Sequence, residues 1–322
     1  MPVHNDQRRP TIGFIGLGTM GAPMCGRIID AGYEVWVYDR RQDRAEGLAA
    51  RGGHRAQEMS EVGQRAQQVI LMLPGNRDTA HAVDQLLPSV SPDTVIINMG
   101  TIDPSISVTL TAKVEAAGGS MVDAPAVKNR AAAEAGELGI LVGGSPVVLE
   151  RVRPLLSCVG GEVVHMGPSG SGLAMKLCHD LLVAQIQNGV NEMLVLARAY
   201  GLSFKETVRA IACGGGQNFY LDTRAEALRT GDFTPMSALQ HMEKDLGLAA
   251  RLCNRLGLRL PSLQHTRRLY RQAMEDGHSD RDVAAVIRVV EREASAAGPD
   301  GPELWEDEVT RTDMNVHNAP KA

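Results

Sequence analysis

The feature that most constrains this chain is Gly16-Leu17-Gly18-Thr19-Met20-Gly21. This GxGxxG run is set between the β-rich segment Thr11–Ile15 and a helical pattern over Ala22–Ala31. A second strand pattern, Glu34–Tyr38, follows and leads into Asp39, 18 residues after the last glycine. A strand, a glycine turn, a helix and a parallel strand within about 30 residues make a right-handed βαβ unit. In that context the three glycines have separate tasks. The first allows the tight turn, the second lets a pyrophosphate approach the backbone, and the third lets helix and strand pack closely. Helix N-terminal N–H groups then hold the phosphates, with Leu17, Thr19 and Met20 completing the turn. Asp39 stands where a carboxylate accepts from the adenosine ribose hydroxyls and repels a 2′-phosphate, so NAD is favoured; Arg40 and Arg41 beside it keep NADP open.

The unit propagates. Further buried-strand runs occur at Gln68–Leu73, Thr94–Met99, Ser120–Asp123, Gly139–Val142 and Glu162–Met166, with helical stretches between most of them. Six or seven alternating strands predict a doubly wound Rossmann sheet. Leu73-Pro74 and Gly100-Thr101 end strands on its carboxyl edge, where such sheets take ligands, so Leu73, Pro74 and Thr101 join the cofactor set. After about Met166 the strand patterns stop. Ser169–Tyr200 reads as one helix of about 45 Å, and the pattern stays helical to about Glu293. The expected architecture is α/β: an N-terminal NAD-binding Rossmann domain over 1–168 and a long interdomain helix entering an all-α substrate and oligomerisation domain over 169–293. A mobile tail is expected over 294–322.

Composition removes several classes of partner. The net charge is −5, and the chain carries only four Phe, five Tyr and two Trp. It therefore lacks both the charge and the stacking rings that nucleic-acid binding uses. No apolar run approaches the roughly 18 residues of a membrane span. The five cysteines are scattered, with no CxxC pair, so neither a disulfide framework nor a metal site is signalled and a reducing cytoplasm is expected. The opening MPVHNDQRRP has no apolar stretch of the kind a signal peptide needs.

Four motifs in order carry a more specific signal. They are Phe14–Met24 (FIGLGTMGAPM); Asp123-Ala124-Pro125 followed by Gly136-x-Leu138 and Val142-Gly143-Gly144; Gly170-x-Gly172-x-x-x-Lys176; and Lys244-Asp245-Leu246. Over residues 11–290 the chain resembles the β-hydroxyacid dehydrogenase family, which includes 3-hydroxyisobutyrate dehydrogenases and is related to 6-phosphogluconate dehydrogenase. The resemblance implies that Lys176 is the catalytic acid and base, at a cleft between cofactor and helical domains. It also brings Lys244 to the site, beside cofactor and substrate.

The departures concern the substrate. In the family a small Ser-Gly-Gly type of segment follows Asp-Ala-Pro and holds the substrate carboxylate; here Val127, Lys128 and Asn129 stand there. The family's asparagine one turn after the lysine is Asp180, preceded by His179. A carboxylate cannot donate to a substrate carboxylate, so these five residues are the candidate substrate contacts. As a base, Lys176 must be neutral part of the time, so a lowered pKa is expected. A Lys176–Asp180 ion pair would oppose that, and Asp180 is therefore expected to turn to substrate, accepting from a hydroxyl or amino group. His179 reads as a packed helix histidine or as a proton relay or substrate contact. Lys128 reads as a loop lysine in water or as a contact for a dianionic or bulkier acid.

These residues lead to an NAD-dependent 3-hydroxy acid dehydrogenase acting on a small anionic hydroxy acid. Two alternatives stand beside it, an NADPH-dependent semialdehyde or carbonyl reductase of the same fold and a non-catalytic NAD-binding regulator or scaffold. Apolar positions Leu181, Leu182, Ile186 and Val190 on the long helix point to a homodimer or homotetramer.

Overall fold

The computed structural model describes residues 9–295, so nearly all of the expected tail lies outside the described residues. The strands are β1 (Ile12–Ile15), β2 (Val35–Tyr38), β3 (His54–Arg55), β4 (Gln68–Leu71), β5 (Val95–Asn98), β6 (Ser120–Asp123), β7 (Ala126–Val127), β8 (Leu138–Gly143) and β9 (Gly160–Gly167). They form one sheet in the order β3-β2-β1-β4-β5-β6-β8-β7, with β9 also paired to β8. From β3 through β6 every pairing is parallel. The order reverses between β1 and β4, which makes their carboxyl ends the switch point where a doubly wound sheet opens a crevice. The far edge departs from the expected parallel alternation. β8 runs antiparallel to β6 and to β7, because a short hairpin rather than a helical crossover follows β6.

Alternation along the strands explains why both faces of the sheet are buried. Ile12, Phe14, Ile70, Val95, Ile97 and Val122 belong to one apolar core, and Ile15, Val69, Leu71, Ile96 and Met121 to the other. Successive side chains point to opposite faces, so a run such as Val95-Ile96-Ile97 feeds both layers at once. The helix Gly21–Asp30 covers the first face with Met24, Cys25 and Ile28. The helix Asn76–Leu86 covers the second with Ala82, Val83 and Leu86.

The chain forms two compact units. The first extends past the expected boundary at 168 to Asp180 and takes in Asp245–Arg259. The second, Leu181–Lys244 with residues 260–295 among those described, is helical apart from a single bridge, Ala238 to Asp282. Its interior holds a charged centre. Buried Asp282 accepts from Arg224 Nε at 2.8 Å and from the amides of Met236, Ser237 and Ala284. Phe219 is 63% exposed, and Asn218 before it caps the helix Phe219–Thr230 by accepting from Leu221 N. Among the described residues no helix is long and apolar enough to cross a membrane, and no three His, Cys, Asp or Glu side chains are grouped to hold a metal.

Candidate active site

The glycine turn joins β1 to the helix Gly21–Asp30, and packing requires two of its three glycines. A Cβ on Gly16 would lie 2.3 Å from Met72 O, and one on Gly21 would lie 2.0 Å from Gly16 O. At Gly18 the nearest atom would be Arg44 Nη1 at 3.8 Å, so the protein itself leaves that space open. A pyrophosphate lying against the backbone accounts for a glycine where packing does not. The helix behind it has no acidic residue in its first turn and no side-chain cap, which leaves its N-terminal field for an anion. The site therefore fits a dinucleotide.

Asp39, just past β2, is buried beside this turn. Its Oδ2 accepts from Leu17 N at 2.7 Å and its Oδ1 from Arg41 N at 2.8 Å, with Arg44 Nη1 at 3.8 Å. Each carboxylate oxygen keeps a further lone pair for a ribose hydroxyl. Arg40 is exposed, and Arg41 is turned onto Asp43. Leu73, Pro74 and Thr101 follow β4 and β5, and the close approach of Gly16 to Met72 and of Gly100 to Leu73 brings these loops to one edge. Lys244 lies on the helix Leu239–Arg255, immediately before Asp245.

Sequence reasoning missed the role of Asp123. Fully buried at the end of β6, it accepts from Gly170 N at 2.6 Å and Leu173 N at 2.9 Å, and so caps the 30-residue helix Ser171–Tyr200. Burial pushes its carboxyl above the ordinary value, against the pull of those amides. The approach is possible because Gly143 and Gly172 carry no side chain. A Cβ on either would come within 2.9 Å of Asp123 Oδ2. Those glycines were the available signal.

Lys176 sits in the second turn of that helix, fixed by the Asp123 anchor. Its Nζ donates to Asp180 Oδ1 at 2.9 Å, and His179 Nδ1 reaches the same oxygen at 3.1 Å. A carboxylate only accepts, so the ring nitrogen is the donor. The expected lowering of Lys176 is reversed. Burial works to lower it, but the carboxylates of Asp180 and, from the helix Leu239–Arg255, of Asp245 outweigh burial and hold the ammonium above the ordinary lysine value. Burial pushes the Asp180 carboxyl up, and Lys176, His179 and Asp245 together bring it below the usual carboxylate range. The expectation that Asp180 avoids Lys176 is thus corrected. The i+4 spacing puts both on one face of the helix, and in that buried setting each charge is the other's best partner.

Val127, Lys128 and Asn129 are engaged within their own hairpin. Val127 pairs with Gly139 in β7 against β8. Lys128 Nζ donates to Glu137 O at 2.7 Å, and its backbone φ of 82° is the only positive value at a non-glycine among the described residues. Asn129 caps the helix Arg130–Ala135 by accepting from Ala132 N at 3.1 Å.

Comparison with known proteins agrees with this layout. The family pattern described as the NAD binding domain of 6-phosphogluconate dehydrogenase matches residues 11–167. The one described as NAD-binding of NADP-dependent 3-hydroxyisobutyrate dehydrogenase matches residues 170–290. The NAD-dependent L-serine dehydrogenase of Pseudomonas aeruginosa is 33% identical over 288 residues, covering 86% of this chain and 97% of that protein. The 3-sulfolactaldehyde reductase of Escherichia coli is 29% identical over 283 residues, covering 87% and 95%. The solved structure of Mycobacterium tuberculosis 3-hydroxyisobutyrate dehydrogenase with L-serine superposes with a TM-score of 0.81 at 31% identity, covering 87% of this chain and 99% of that one. With both halves of the chain matched in order and a dinucleotide cradle in place, the chain belongs to the β-hydroxyacid dehydrogenase family, as an NAD(P)-dependent hydroxyacid dehydrogenase.

Proposed function

We propose that the chain is an NAD-linked 3-hydroxy acid dehydrogenase in which Lys176 is the general acid and base. The observation that carries this reading is the state of Lys176, whose side chain is only 13% exposed while Asp180 and Asp245 keep its ammonium charged. In carbonyl reduction that ammonium donates a hydrogen bond to the carbonyl oxygen, stabilises the negative charge developing there and gives up its proton. In alcohol oxidation the neutral amine takes the hydroxyl proton. The two carboxylates favour the charged form, which is the proton donor in carbonyl reduction.

Bound NAD supplies the acceptor, or when reduced the donor, of the hydride. Gly16, Gly18 and Gly21 with the helix amides would hold its pyrophosphate, Asp39 its adenosine ribose, and Leu73, Pro74 and Thr101 would flank it at the sheet edge. Arg40 and Arg41 would serve the 2′-phosphate if NADP is used. For substrate, Val127, Lys128, Asn129, His179 and Asp180 are the proposed neighbours of a small anionic hydroxy acid, and Lys244 the proposed further cation. The relatives' names supply the panel of L-serine, 3-hydroxyisobutyrate and 3-sulfolactaldehyde.

Nicotinamide absorbance with this panel tests the reading. Wild type should turn over at least one member, and Lys176→Ala should lose roughly 10²- to 10⁴-fold. No turnover of any member would overturn the dehydrogenase reading for these compounds and favour the non-catalytic scaffold. A normal rate in Lys176→Ala would remove Lys176 from the chemistry.

A homodimer or homotetramer is part of the proposal. Leu182, Leu196 and Tyr200 are 58%, 72% and 83% exposed. Leu182 and Tyr200 are five turns apart and so share one helix face at 3.6 residues per turn. Val190 is buried instead. Light scattering that finds a monomer at micromolar concentration would overturn the oligomer.

A further inference from the structure

We propose that Asp180 and His179 form a proton relay that connects Lys176 to solvent. The relay rests on Lys176 exchanging its proton with substrate, as proposed above. One oxygen, Asp180 Oδ1, receives both Lys176 Nζ at 2.9 Å and His179 Nδ1 at 3.1 Å, so a single atom joins the two nitrogens. Lys176 and Asp180 are buried, with side chains 13% and 5% exposed, and His179 is 37% exposed. The histidine is the member of the three that meets water. The charged groups facing the relay are Lys176 and His179 on its own helix and Asp245 on the helix Leu239–Arg255.

Residue type matters at position 180. An asparagine could hydrogen-bond to both neighbours but could not take up and release a proton near neutral pH. A carboxylate can do so transiently. An imidazole ring has two nitrogens and can both take up and release a proton.

During carbonyl reduction a Lys176 N–H bond breaks as the product O–H bond forms, and the electron pair stays on Nζ. The Nδ1–H bond of the His179 imidazolium then breaks and an O–H bond forms at Asp180 Oδ1. That bond breaks in turn as Nζ–H is restored. The half-exposed ring then turns its vacated Nδ1 to solvent and an N–H bond re-forms there with a proton from water, so one solvent proton is consumed per carbonyl reduced. Oxidation runs the same transfers backwards.

The test uses full-length protein and the panel member turned over fastest. His179→Ala should lower kcat roughly 10-fold with little change in KM, and added imidazole should restore it. Asp180→Asn should also be slow but not respond to imidazole, because its break lies inside the relay. A rise in KM at unchanged kcat in His179→Ala, or no rescue, would overturn the relay and make His179 a substrate contact or a packing residue. Turnover kept in Lys176→Ala would overturn the underlying reading and the relay with it. A second measurement needs no substrate: the ring ¹⁵N shift of His179 Nδ1 should move in Asp180→Asn, and an unchanged shift would overturn the contact itself.

Discussion

Arg255 grips Asp103 with two hydrogen bonds of 2.8 Å, one to each carboxylate oxygen. The same carboxylate caps the helix Pro104–Ala116 by accepting from Ser105 N and Ser105 Oγ. Burial pushes the Asp103 carboxyl up, but Arg255 and Ser105 together outweigh it and leave it below the ordinary value. Asp103→Ala should cost about 1–2 kcal/mol, the scale of a lost cap. Because the folded value is depressed, the charge contributes stability above the unfolded carboxylate value of about 3.9 and loses it as pH falls through the folded value. Urea melts of wild type and Asp103→Asn should therefore converge in acid; a gap unchanged from pH 7 to pH 3 would show that the ionised pair contributes nothing.

The glycine turn separates folding from binding. Gly21→Ala forces a methyl onto Gly16 O and should cost about 1–3 kcal/mol, as overpacking does. Gly18→Ala meets nothing closer than 3.8 Å and should change stability by less than about 0.5 kcal/mol while weakening dinucleotide binding. Thermal melts paired with calorimetric titration of NAD decide this, and an unchanged NAD affinity in Gly18→Ala would count against a pyrophosphate lying there.

Asp39 holds Leu17 N and Arg41 N and is the proposed contact of the adenosine ribose. Asp39→Asn removes the charge that opposes a 2′-phosphate while preserving the side chain's shape. The ratio of kcat/KM with NADP to that with NAD should rise roughly tenfold, equivalent to about 1.4 kcal/mol. The full loss to alanine should raise KM for both dinucleotides as well, since the turn loses its support. An unchanged ratio would mean that the adenosine ribose lies elsewhere.

Lys128 occupies left-handed backbone at φ 82°, a conformation that suits glycine. Lys128→Gly relieves the backbone but loses the contact to Glu137 O, so its net effect should be small. Lys128→Val, branched at Cβ, should be about 1–2 kcal/mol less stable than Lys128→Gly in urea melts. Equal stability would show that the hairpin relaxes to another conformation.

The parts of this fold that were legible from sequence are those dictated by local pattern. Short apolar runs ending in glycine or proline marked β1, β4 and β5, and the GxGxxG turn with Asp39 marked the cofactor edge. Two-residue strands such as β3 and β7 carry too few side chains for any period to show. The Asp123 anchor depends on three segments, around residues 123, 143 and 172, that are distant in sequence and meet only in the folded chain. Lys176 was found from its motif, but the sign of its electrostatic environment was not. That sign is set first by Asp180 one turn on and then by Asp245, 69 positions away in the sequence.

The anchor at Asp123 has a consequence for recombination between relatives. It ties the first turn of the long helix to the end of β6, and Lys176 follows six residues after Gly170, about 9 Å along the axis. The Lys176 amine therefore inherits its coordinates from the edge of the sheet. Chimaeras joined after Asp180 carry the glycine turn, the anchor, Lys176, His179 and Asp180 as one inherited block. Chimaeras joined at the glycine-rich segment before the helix split the carboxylate from the amides it holds.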